Sequence, residues 1–310
     1  MLDNREIEVL EELNKEIITL RFSSEYELGR KVKRLVKEIR HGKFIEQIKR
    51  IQKKEKLKRI KEHIFLENVD DKTWYSQMHL GDPNKKVVVY TCITGGYDRV
   101  ENPMVNPQNI DYILFQSNTI NTDSSNWKLY DIPVALSHKY DNATINRYIK
   151  FHPHEFFSDD YDYSIYIDGN IRPVSDLSIY ADLVDKSIGV SMHQHSSRSC
   201  IFEEVKACLA LGKGNANGLA KQTEHYRSMG FPSEYGMAEC NLIVCDLHNE
   251  LSKEIMTSWW QEFMKTLGKR DQIALPYILW KKGISVSDVT TLGHNIYRNT
   301  KVQIKNHNSN

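Results

Sequence analysis

From residue 86 onward, the chain carries five short runs dominated by apolar residues, and these runs most constrain what it can fold into. They are 86–91 (KVVVYT), 111–115 (DYILF), 163–167 (YSIYI), 187–192 (SIGVSM) and 241–245 (NLIVC). Strands that are apolar along their whole length are typical of a mainly parallel sheet covered by helices on both faces. Helical periodicity at 142–157, 200–211, 219–229, 252–267 and 271–280 supplies those layers. We therefore predict an α/β fold with a mixed, mainly parallel sheet flanked by helices.

The first 80 residues have a different character and predict an all-helical, basic extension. Apolar residues recur there at helical spacing, first at Leu10, Leu13, Ile17 and Leu20. The tetrapeptide 24–27 (SEYE) is typical of a capping box that begins a second helix, and a third apolar series runs through 48–64. A turn cluster at 81–84 (GDPN) marks the boundary. We predict a helical module at 1–80, a body at 85–299 and a polar tail at 300–310.

Charge is segregated along the chain, although the formal net charge is only +1. Residues 30–62 hold 15 Lys and Arg against 4 Asp and Glu, whereas residues 63–310 hold 24 against 29. The basic run is either a solvated helical face or a surface that adsorbs to an anionic membrane. It lacks the regular interleaving of aromatic side chains that stacks bases, so we expect no nucleic-acid partner.

Targeting and redox features favour a cytoplasmic protein. The N-terminus has no apolar core of a signal peptide, and no stretch is long and apolar enough to span a bilayer. The five cysteines are odd in number and contain no CxxC pair, so neither a zinc ribbon nor a disulfide framework is expected. We predict a reduced, cytoplasmic protein, with peripheral contact at the inner face of the membrane through the basic run.

A polar turn directly follows the run YSIYI. Asp168-Gly169-Asn170 places a carboxylate and an amide oxygen two residues apart, which suits two hard oxygen ligands for a divalent cation that bridges phosphates. In parallel sheets, ligands bind where the strands end. The pattern resembles Asp-x-Asp with Asn as the second member, and a simple Asp-Gly turn is the alternative. We predict metal and diphosphate binding at Asp168 and Asn170.

The loop after the first apolar run is a second candidate, with nucleotide-binding residues at Thr91, Gly95, Tyr97 and Asp98. Glycine lets a nucleotide approach the backbone, a tyrosine ring can stack on a base, and an aspartate can accept from a ribose or base. A plain turn is the alternative. No GKS or GKT follows, so the loop is not a Walker motif.

Two basic residues form a third candidate. Arg147 and Lys150 lie about one turn apart on the predicted helix before the run YSIYI, so both can face the same way. Such a pair can neutralise phosphate, with Arg binding in bidentate fashion. A surface pair without a ligand is the alternative.

Acceptor contacts are expected at the ends of the two remaining runs. His193 and His195 follow the fourth run, and alternate residues point to opposite faces, so a single metal ion does not take both. Glu239 and Asn241 lie at the start of the fifth run. We predict acceptor contacts at His193, His195 and Asn241. Glu239 is either an acceptor-site general base or a structural, salt-bridged carboxylate.

Two positions near the C-terminus complete the candidates. Asp271 begins the last long helix, where it either caps the helix or orients a sugar hydroxyl. His294 follows a glycine, and a neutral imidazole there could complete a metal site begun by Asp168.

Six ordered motifs together resemble a known family. They are VVVYTCITGGYD, NRYIKFHPHEFF, YSIYIDGNI, SMHQHSSRSCIFEE, YGMAECNLIVCDLHN and RDQIALPYILW. Over about residues 86–298 the chain is similar to the glycosyltransferase domain of plant mucilage- and pectin-related proteins and of bacterial polysaccharide clusters. More distantly, it is similar to the retaining galactosyltransferase-like family eight.

The resemblance implies a GT-A fold, a UDP-sugar donor and Mn²⁺ or Mg²⁺. It implies metal ligands at Asp168, Asn170 and His294, donor phosphate contacts at Arg147 and Lys150, and sugar contacts at Asp271 and Gln272. Asn170 departs from the second Asp of the family element, which removes one charge from the metal site.

The expected function is glycosyl transfer to a glycan or glycolipid in the synthesis of a surface polysaccharide, such as capsule or lipopolysaccharide. An inverting enzyme needs a carboxylate base, for which Glu239 and Asp271 are the candidates, whereas a retaining enzyme leaves the acceptor proton to the departing phosphate. The alternative is a catalytically silent protein that binds nucleotide sugars or acts as a scaffold, with basic helices that bind a membrane or a partner.

Overall fold

The computed structural model describes residues 4–26, 28–30, 33, 81–117 and 126–305. The predicted third helix, most of the predicted second helix and most of the basic run 30–62 lie outside these residues. None of the helices within the described ranges combines the length and the apolar character needed to cross a bilayer.

Within the described ranges, eight strands form two sheets. They are β1 (Val87–Ile93), β2 (Ile110–Gln116), β3 (Lys128–Asp131), β4 (Tyr163–Ile167), β5 (Ile171–Pro173), β6 (Val190–Gln194), β7 (Ala238–Asp246) and β8 (Val302–Ile304). The main sheet has the order β3-β2-β1-β4-β7-β6. Strands β1 to β4 of this sheet pair in parallel, while β7 runs antiparallel to both β4 and β6. The predicted mixed, mainly parallel sheet is confirmed.

The helices flank this sheet as expected. They are α1 (Asn4–Arg21), α2 (Val134–Lys139), α3 (Asn142–Phe151), α4 (Pro153–Phe157), α5 (Ile201–Ala210), α6 (Ala216–Ser228), α7 (Glu250–Lys265), α8 (Asp271–Lys281) and α9 (Val286–Val289), with 3₁₀ turns at Ser178–Asp182 and Ile296–Arg298. The predicted break at Pro153 separates α3 from α4, because proline starts the second helix at its first position. All five body helices expected from periodicity are present.

Successive residues of β1 pack into two different cores, which is why the run KVVVYT is apolar throughout. Val88 and Tyr90 join the core that contains Trp259 of α7, and Val87 and Val89 join the core on the opposite face. The alternation follows from the period of two along a strand. Both faces of the sheet are therefore covered by apolar side chains at β1, and polar side chains lie at the ends of the strands. The five cysteines are buried and free.

The stretch expected to be a polar tail is part of the body as far as residue 305. Val302–Ile304 forms β8, which pairs antiparallel with β5. Strand β5 directly follows the turn Asp168-Gly169-Asn170. The run is only three residues long and lacks a long apolar pattern, so its composition resembles that of a tail. The predicted boundary at 299/300 therefore cuts through this small sheet.

Helix α1 docks on the body through polar contacts. The Nδ2 of Asn14, which is buried, donates to the carbonyl oxygens of Thr300 at 2.7 Å and Val302 at 3.1 Å. The ammonium of Lys301 lies 2.6 Å from the carboxylate of Glu11. Because these contacts reach the last strand, α1 and β8 are held together.

The apolar seam predicted for this helix does not form the contact. Leu13, Ile17 and Leu20 are 51%, 38% and 63% exposed, and Ile7 on the docking face is buried. The predicted cap of the following helical segment is also displaced by one residue, since Ser23 Oγ, not Ser24, accepts from the Tyr26 amide at 3.2 Å. Hydrophobic spacing identified a helix but not the face that packs.

Replacing Asn14 should show whether α1 docks through its polar contacts or through the predicted apolar seam. Asn14→Ala leaves two carbonyl groups without their donor, and we expect the free energy of unfolding to fall by about 1–3 kcal/mol. Leu13→Ala on the exposed face should change it by less than about 0.5 kcal/mol. Urea unfolding measures both. A larger loss for Leu13→Ala than for Asn14→Ala would contradict this docking mode.

Candidate active site

A cleft of about 1410 Å³ opens at the carboxyl ends of β1 and β4 and at the start of β7. Its basic lining residues are Arg21, Arg30, Arg147, Lys150, Arg198, Lys213, Lys269, Arg270 and Lys305, and its acidic ones are Asp98, Asp141, Asp168, Glu204, Glu239 and Asp271. The lining is thus net positive, although residues 63–310 as a whole are net negative. The cleft concentrates the charge that an anionic ligand requires.

The turn Asp168-Gly169-Asn170 forms the floor of the cleft. The Asp168 amide donates to the Asn241 carbonyl at 2.9 Å, which ties the turn to β7. One carboxylate oxygen of Asp168 accepts from the Tyr166 hydroxyl at 3.0 Å. The Asn170 Nδ2 donates to the Lys305 carbonyl at 2.9 Å, which leaves its amide oxygen as the atom that could face a ligand. Both side chains line the cleft, as predicted from their place after a buried strand.

The predicted third metal ligand is not brought to this floor. His294 contacts the Gln194 side chain through Nδ1 and does not line the cleft. Across the described ranges, no three His, Cys, Asp or Glu side chains converge as a metal-binding cluster. Asp168 and Asn170 alone offer one charge and two ligand positions, so the residues present do not fit the predicted metal triad. Cation binding at this turn stays a prediction.

The loop after β1 forms one rim. Gly95 and Gly96 have φ values of 62° and 68°, a region that favours glycine, and a Cβ on Gly95 would lie 2.8 Å from Asn142 Nδ2. Gly95, Tyr97 and Asp98 line the cleft, and the Tyr97 ring is 67% exposed. Thr91 is different, because it is fully buried within β1 and does not line the cleft.

A buried ion-pair cluster forms another part of the lining. We call Asp271 with Arg147, Lys150 and Arg270 the Asp271 cluster. Asp271 Oδ2 lies 2.6 Å from Lys150 Nζ and 3.2 Å from Arg147 Nε. The Lys150 side chain is only 2% exposed, whereas that of Arg147 is 28% exposed. Arg147 is therefore the member of the predicted pair that can touch a ligand, with Lys150 buried behind it.

The charges in this cluster determine what Asp271 can do. Burial alone would raise the pKa of Asp271, but Arg147, Lys150 and Arg270 together hold it far below its usual range. Asp271 in turn raises the pKa of Arg147, against the effect of burial. A carboxylate this strongly stabilised in its charged form is a poor proton acceptor. The structure therefore gives Asp271 the role of holding cations, and the predicted general-base role finds no support.

Glu239, the other predicted base, has a different environment. Its Oε1 accepts from Ser196 Oγ at 3.0 Å and its Oε2 accepts from Gln272 Nε2 at 3.3 Å. Both of these donors are neutral. Since Glu239 lies in the cleft lining at the start of β7, the carboxylate is positioned without a guanidinium or ammonium bound to it.

The two predicted histidines separate as the strand period requires. His195 lines the cleft, and its Nδ1 accepts from the amides of Ser197 and Arg198, each at 3.1 Å. The ring proton therefore lies on Nε2, which is 3.5 Å from Glu204. Burial would raise the pKa of Glu204, but the hydrogen bond from His195 and the charge of Arg198 lower it to about 2.

His193 lies behind the sheet end and outside the cleft lining. It is fully buried, and the Asn299 amide lies 2.8 Å from its Nε2. Burial lowers the pKa of His193 to about 3. The imidazole is thus held neutral. Because His193 does not line the cleft, an acceptor bound there would not contact it.

Three polar atoms in the lining have no hydrogen-bond partner within the described structure. They are Oδ1 of Asn14, Oδ1 of Asn241 and Nε of Arg270. An unpaired buried polar atom costs free energy, and a ligand that supplies a hydroxyl and an anionic oxygen would satisfy those of Asn241 and Arg270. Asn241 was a predicted acceptor contact, whereas Arg270 was not predicted.

Sequence reasoning missed most of the cations that line the cleft. Arg270 directly precedes Asp271, so its proximity could have been inferred from the motif RDQ. Arg21 and Arg30 come from the N-terminal extension, and no local pattern links them to the strand ends. Arg198 and Glu204 lie within the motif SMHQHSSRSCIFEE, but neither was assigned a role from the sequence.

Comparison with known proteins places these residues in context. A family model described as "TOD1/MUCI70, glycosyltransferase-like domain" matches residues 75–307. None of the curated proteins matches the chain in sequence.

Several solved structures resemble the chain at low sequence identity. The apo bifunctional glycosyltransferase WbbM has a TM-score of 0.40 and 13% identity over 63% of this chain, which spans only 37% of WbbM. The galactosyltransferase LgtC, bound to donor and acceptor sugar analogues, has a TM-score of 0.37 and 13% identity over 70% of this chain and 86% of its own. Apo mouse xyloside xylosyltransferase 1 has a TM-score of 0.39 and 8% identity over 72% of this chain and 97% of its own. The site described above stands on the chain's own geometry.

The buried His193 predicts how stability depends on pH. Its pKa is lower in the folded protein than the unfolded value of 6.5, so the unfolded state binds the proton first and stability falls as pH drops from 6.5 toward 3. We expect His193 to account for a loss of about 2 kcal/mol between pH 6.5 and pH 5. Urea unfolding at several pH values should show a shallower loss in His193→Gln. His138→Gln, at an exposed position, should keep the wild-type slope. Equal slopes in wild type and His193→Gln would refute the assignment.

Proposed function

Because the chain belongs to the TOD1/MUCI70 family of glycosyltransferase-like domains, we propose that it transfers a sugar from a nucleotide-sugar donor to a saccharide acceptor. The observation that carries the proposal is the Asp271 cluster, which presents Arg147 and Arg270 beside the turn Asp168-Gly169-Asn170. Preorganised cations next to a strand-end turn are suited to a departing diphosphate. UDP is the proposed nucleotide.

The donor would lie between the loop after β1 and the Asp271 cluster. Gly95 lines the cleft, and the exposed Tyr97 ring offers a face to a base. Arg147 would form charge-assisted hydrogen bonds with the phosphates, and Lys150 supports it from behind by sharing Asp271. Leaving-group stabilisation is assigned to these residues, because the predicted metal triad does not assemble.

Glu239 is the proposed general base in an inverting reaction. The acceptor oxygen would form a bond to the anomeric carbon as the bond from that carbon to the diphosphate breaks, and the acceptor proton would pass to Glu239. Ser196 and Gln272 would orient the carboxylate through the hydrogen bonds they donate. The unpaired Asn241 Oδ1 and the neighbouring His195 would contact acceptor hydroxyls.

The proposed biological setting comes from the sequence. A surface glycan or glycolipid as acceptor, a cytoplasmic location and peripheral contact with an anionic membrane follow from the sequence resemblance and the basic run 30–62. Within that run, the structure describes only residues 30 and 33.

Binding of UDP tests the donor site. We expect UDP to bind the wild-type protein, and Arg147→Gln to weaken binding about tenfold or more, because one charge-assisted hydrogen bond contributes about 1.5–3 kcal/mol. Isothermal titration calorimetry measures the dissociation constants. Lys282→Gln, a surface residue paired with Glu254 outside the cleft lining, serves as the charge-matched control and should bind as wild type. Unchanged UDP binding in Arg147→Gln would exclude this residue from the donor site. A folded wild-type protein that binds no UDP would contradict the proposed function.

Substitution of Glu239 tests the proposed base. Glu239→Gln keeps the size and the hydrogen-bonding capacity of the side chain but cannot take the proton, so we expect turnover to fall about 10²- to 10⁴-fold while UDP binding stays within twofold. Turnover is measured as UDP release from a panel of UDP-sugars with oligosaccharide acceptors. Glu254→Gln on the surface is the control. Retained turnover in Glu239→Gln would exclude this residue as the base.

A further inference from the structure

The N-terminal helix contributes a wall to the cleft, although it lies outside the family-matched residues 75–307. Four side chains from its end and from the residues that follow line the cleft, and we call them the α1 wall: Arg21, Phe22, Tyr26 and Arg30. The family domain alone would leave this side of the cleft open. The question is what chemistry the added wall supplies.

Two residues of the wall, Arg21 and Phe22, are held by the C-terminal segment. Besides the contacts of Asn14, the Arg21 guanidinium donates to the Ile304 carbonyl at 3.1 Å. The Arg298 guanidinium lies 5.2 Å from the centre of the Phe22 ring, at cation–π distance. Since these contacts all reach the segment 296–305, helix α1 with Arg21 and Phe22 forms one unit with the C-terminal strand.

This unit adjoins the floor of the cleft. The Lys305 amide donates to the Asn170 carbonyl at 2.8 Å, and Asn170 Nδ2 donates back to the Lys305 carbonyl at 2.9 Å. The basic side chains of Arg21 and Lys305 therefore line the cleft near Asn170, and Arg30 adds a third cation from the α1 wall. These cations come from other parts of the chain than those of the Asp271 cluster.

The Asp271 cluster can balance the charge of a diphosphate without the cations of the α1 wall. In the Asp271 cluster, three cations share one carboxylate, which leaves a net charge of two to match the two negative charges of a nucleotide-sugar diphosphate. The charges of Arg21 and Arg30 remain for a second anionic group. Arg30 is exposed, and Glu11, the nearest acidic contact of α1 with the body, is bound to Lys301.

Aromatic rings stand beside these cations. Phe22 and Tyr26 are 48% and 45% exposed in the cleft lining. Large rings left half-exposed beside a cleft offer flat apolar faces, and the carbon face of a pyranose ring is a matching surface. A cation next to an exposed ring thus suits a sugar that carries a negative charge.

We propose that the α1 wall is an acceptor subsite for an anionic saccharide, that is, a sugar bearing a carboxylate or a phosphate. That the bound sugar is an acceptor rests on the proposed glycosyl transfer. That it is anionic rests on the geometry of the α1 wall. The N-terminal extension then determines which acceptor this body recognises.

Calorimetry with defined sugars tests the ligand class. The probes are hyaluronan tetrasaccharide, which carries carboxylates, mannose 6-phosphate, which carries a phosphate, and chitotetraose, which is neutral. We expect at least one anionic probe to bind the full-length protein at least tenfold more tightly than chitotetraose, and the better of the two identifies the anion. Arg30→Gln and Tyr26→Ala should each weaken that probe at least fivefold and leave UDP binding within twofold. Both positions are exposed, so the variants should melt as wild type.

A matched control on α1 separates local contact from general charge. Lys15 pairs with Glu12 and does not line the cleft, so Lys15→Gln removes the same charge without touching the α1 wall. It should bind all probes as wild type. The inference is overturned if neither anionic probe exceeds chitotetraose, if Arg30→Gln binds like Lys15→Gln, or if Arg30→Gln weakens UDP and not the saccharide. Failure of the proposed function is distinct, because it appears as absent UDP binding in the wild type.

Discussion

The carboxylate of Asp271 is the interaction on which the cleft depends. Lys150 is almost completely buried, and an unpaired ammonium at that depth would cost several kcal/mol, so its charge stays inside only because Asp271 lies 2.6 Å away. Lys150 and Arg147 belong to α3, while Asp271 begins α8. One side chain therefore fixes two helices against each other and holds Arg147 at the surface of the cleft. The wall that would meet a diphosphate is thus built from the same contact that secures the fold.

Strands were predictable because their cause is local. Each of the five runs is apolar in its own sequence and is therefore buried, and each forms a strand of the main sheet. Strand β3 was missed because its four residues are exposed at the sheet edge, and β5 and β8 were missed because three residues carry no period. The docking face of α1 was mispredicted for a physical reason: Asn14 is buried by carbonyl groups nearly 290 positions away, which spacing within the helix cannot reveal.

The site was predictable to the extent that strand ends determine it. Asp168, Asn170, Glu239 and Asn241 line the cleft because parallel strands and the antiparallel β7 bring their ends to one edge. Thr91 and His193 lie on the buried side of their strands. A shift of one residue along a strand changes the face, and a motif does not show which face a residue occupies. His294 depends on how the chain after α9 folds, and there the Gln194 side chain binds it. The family match over 75–307 confirms the family predicted from the six motifs.

The attachment of α1 has an evolutionary consequence. Asn14 and Arg21 bind main-chain carbonyls of residues 300, 302 and 304, and such carbonyls are present whatever side chains those positions carry. Among the described polar and cation–π contacts of this N-terminal segment, side chains of the body matter only where Glu11 meets Lys301 and Ser175 and where Phe22 meets Arg298. The main-chain contacts themselves therefore make few demands on the sequence of the body. An N-terminal helix can therefore be exchanged for another while the machinery at the strand ends stays unchanged. If the α1 wall binds the acceptor as proposed, acceptor preference can change through residues 21–30 while the family-matched domain stays the same.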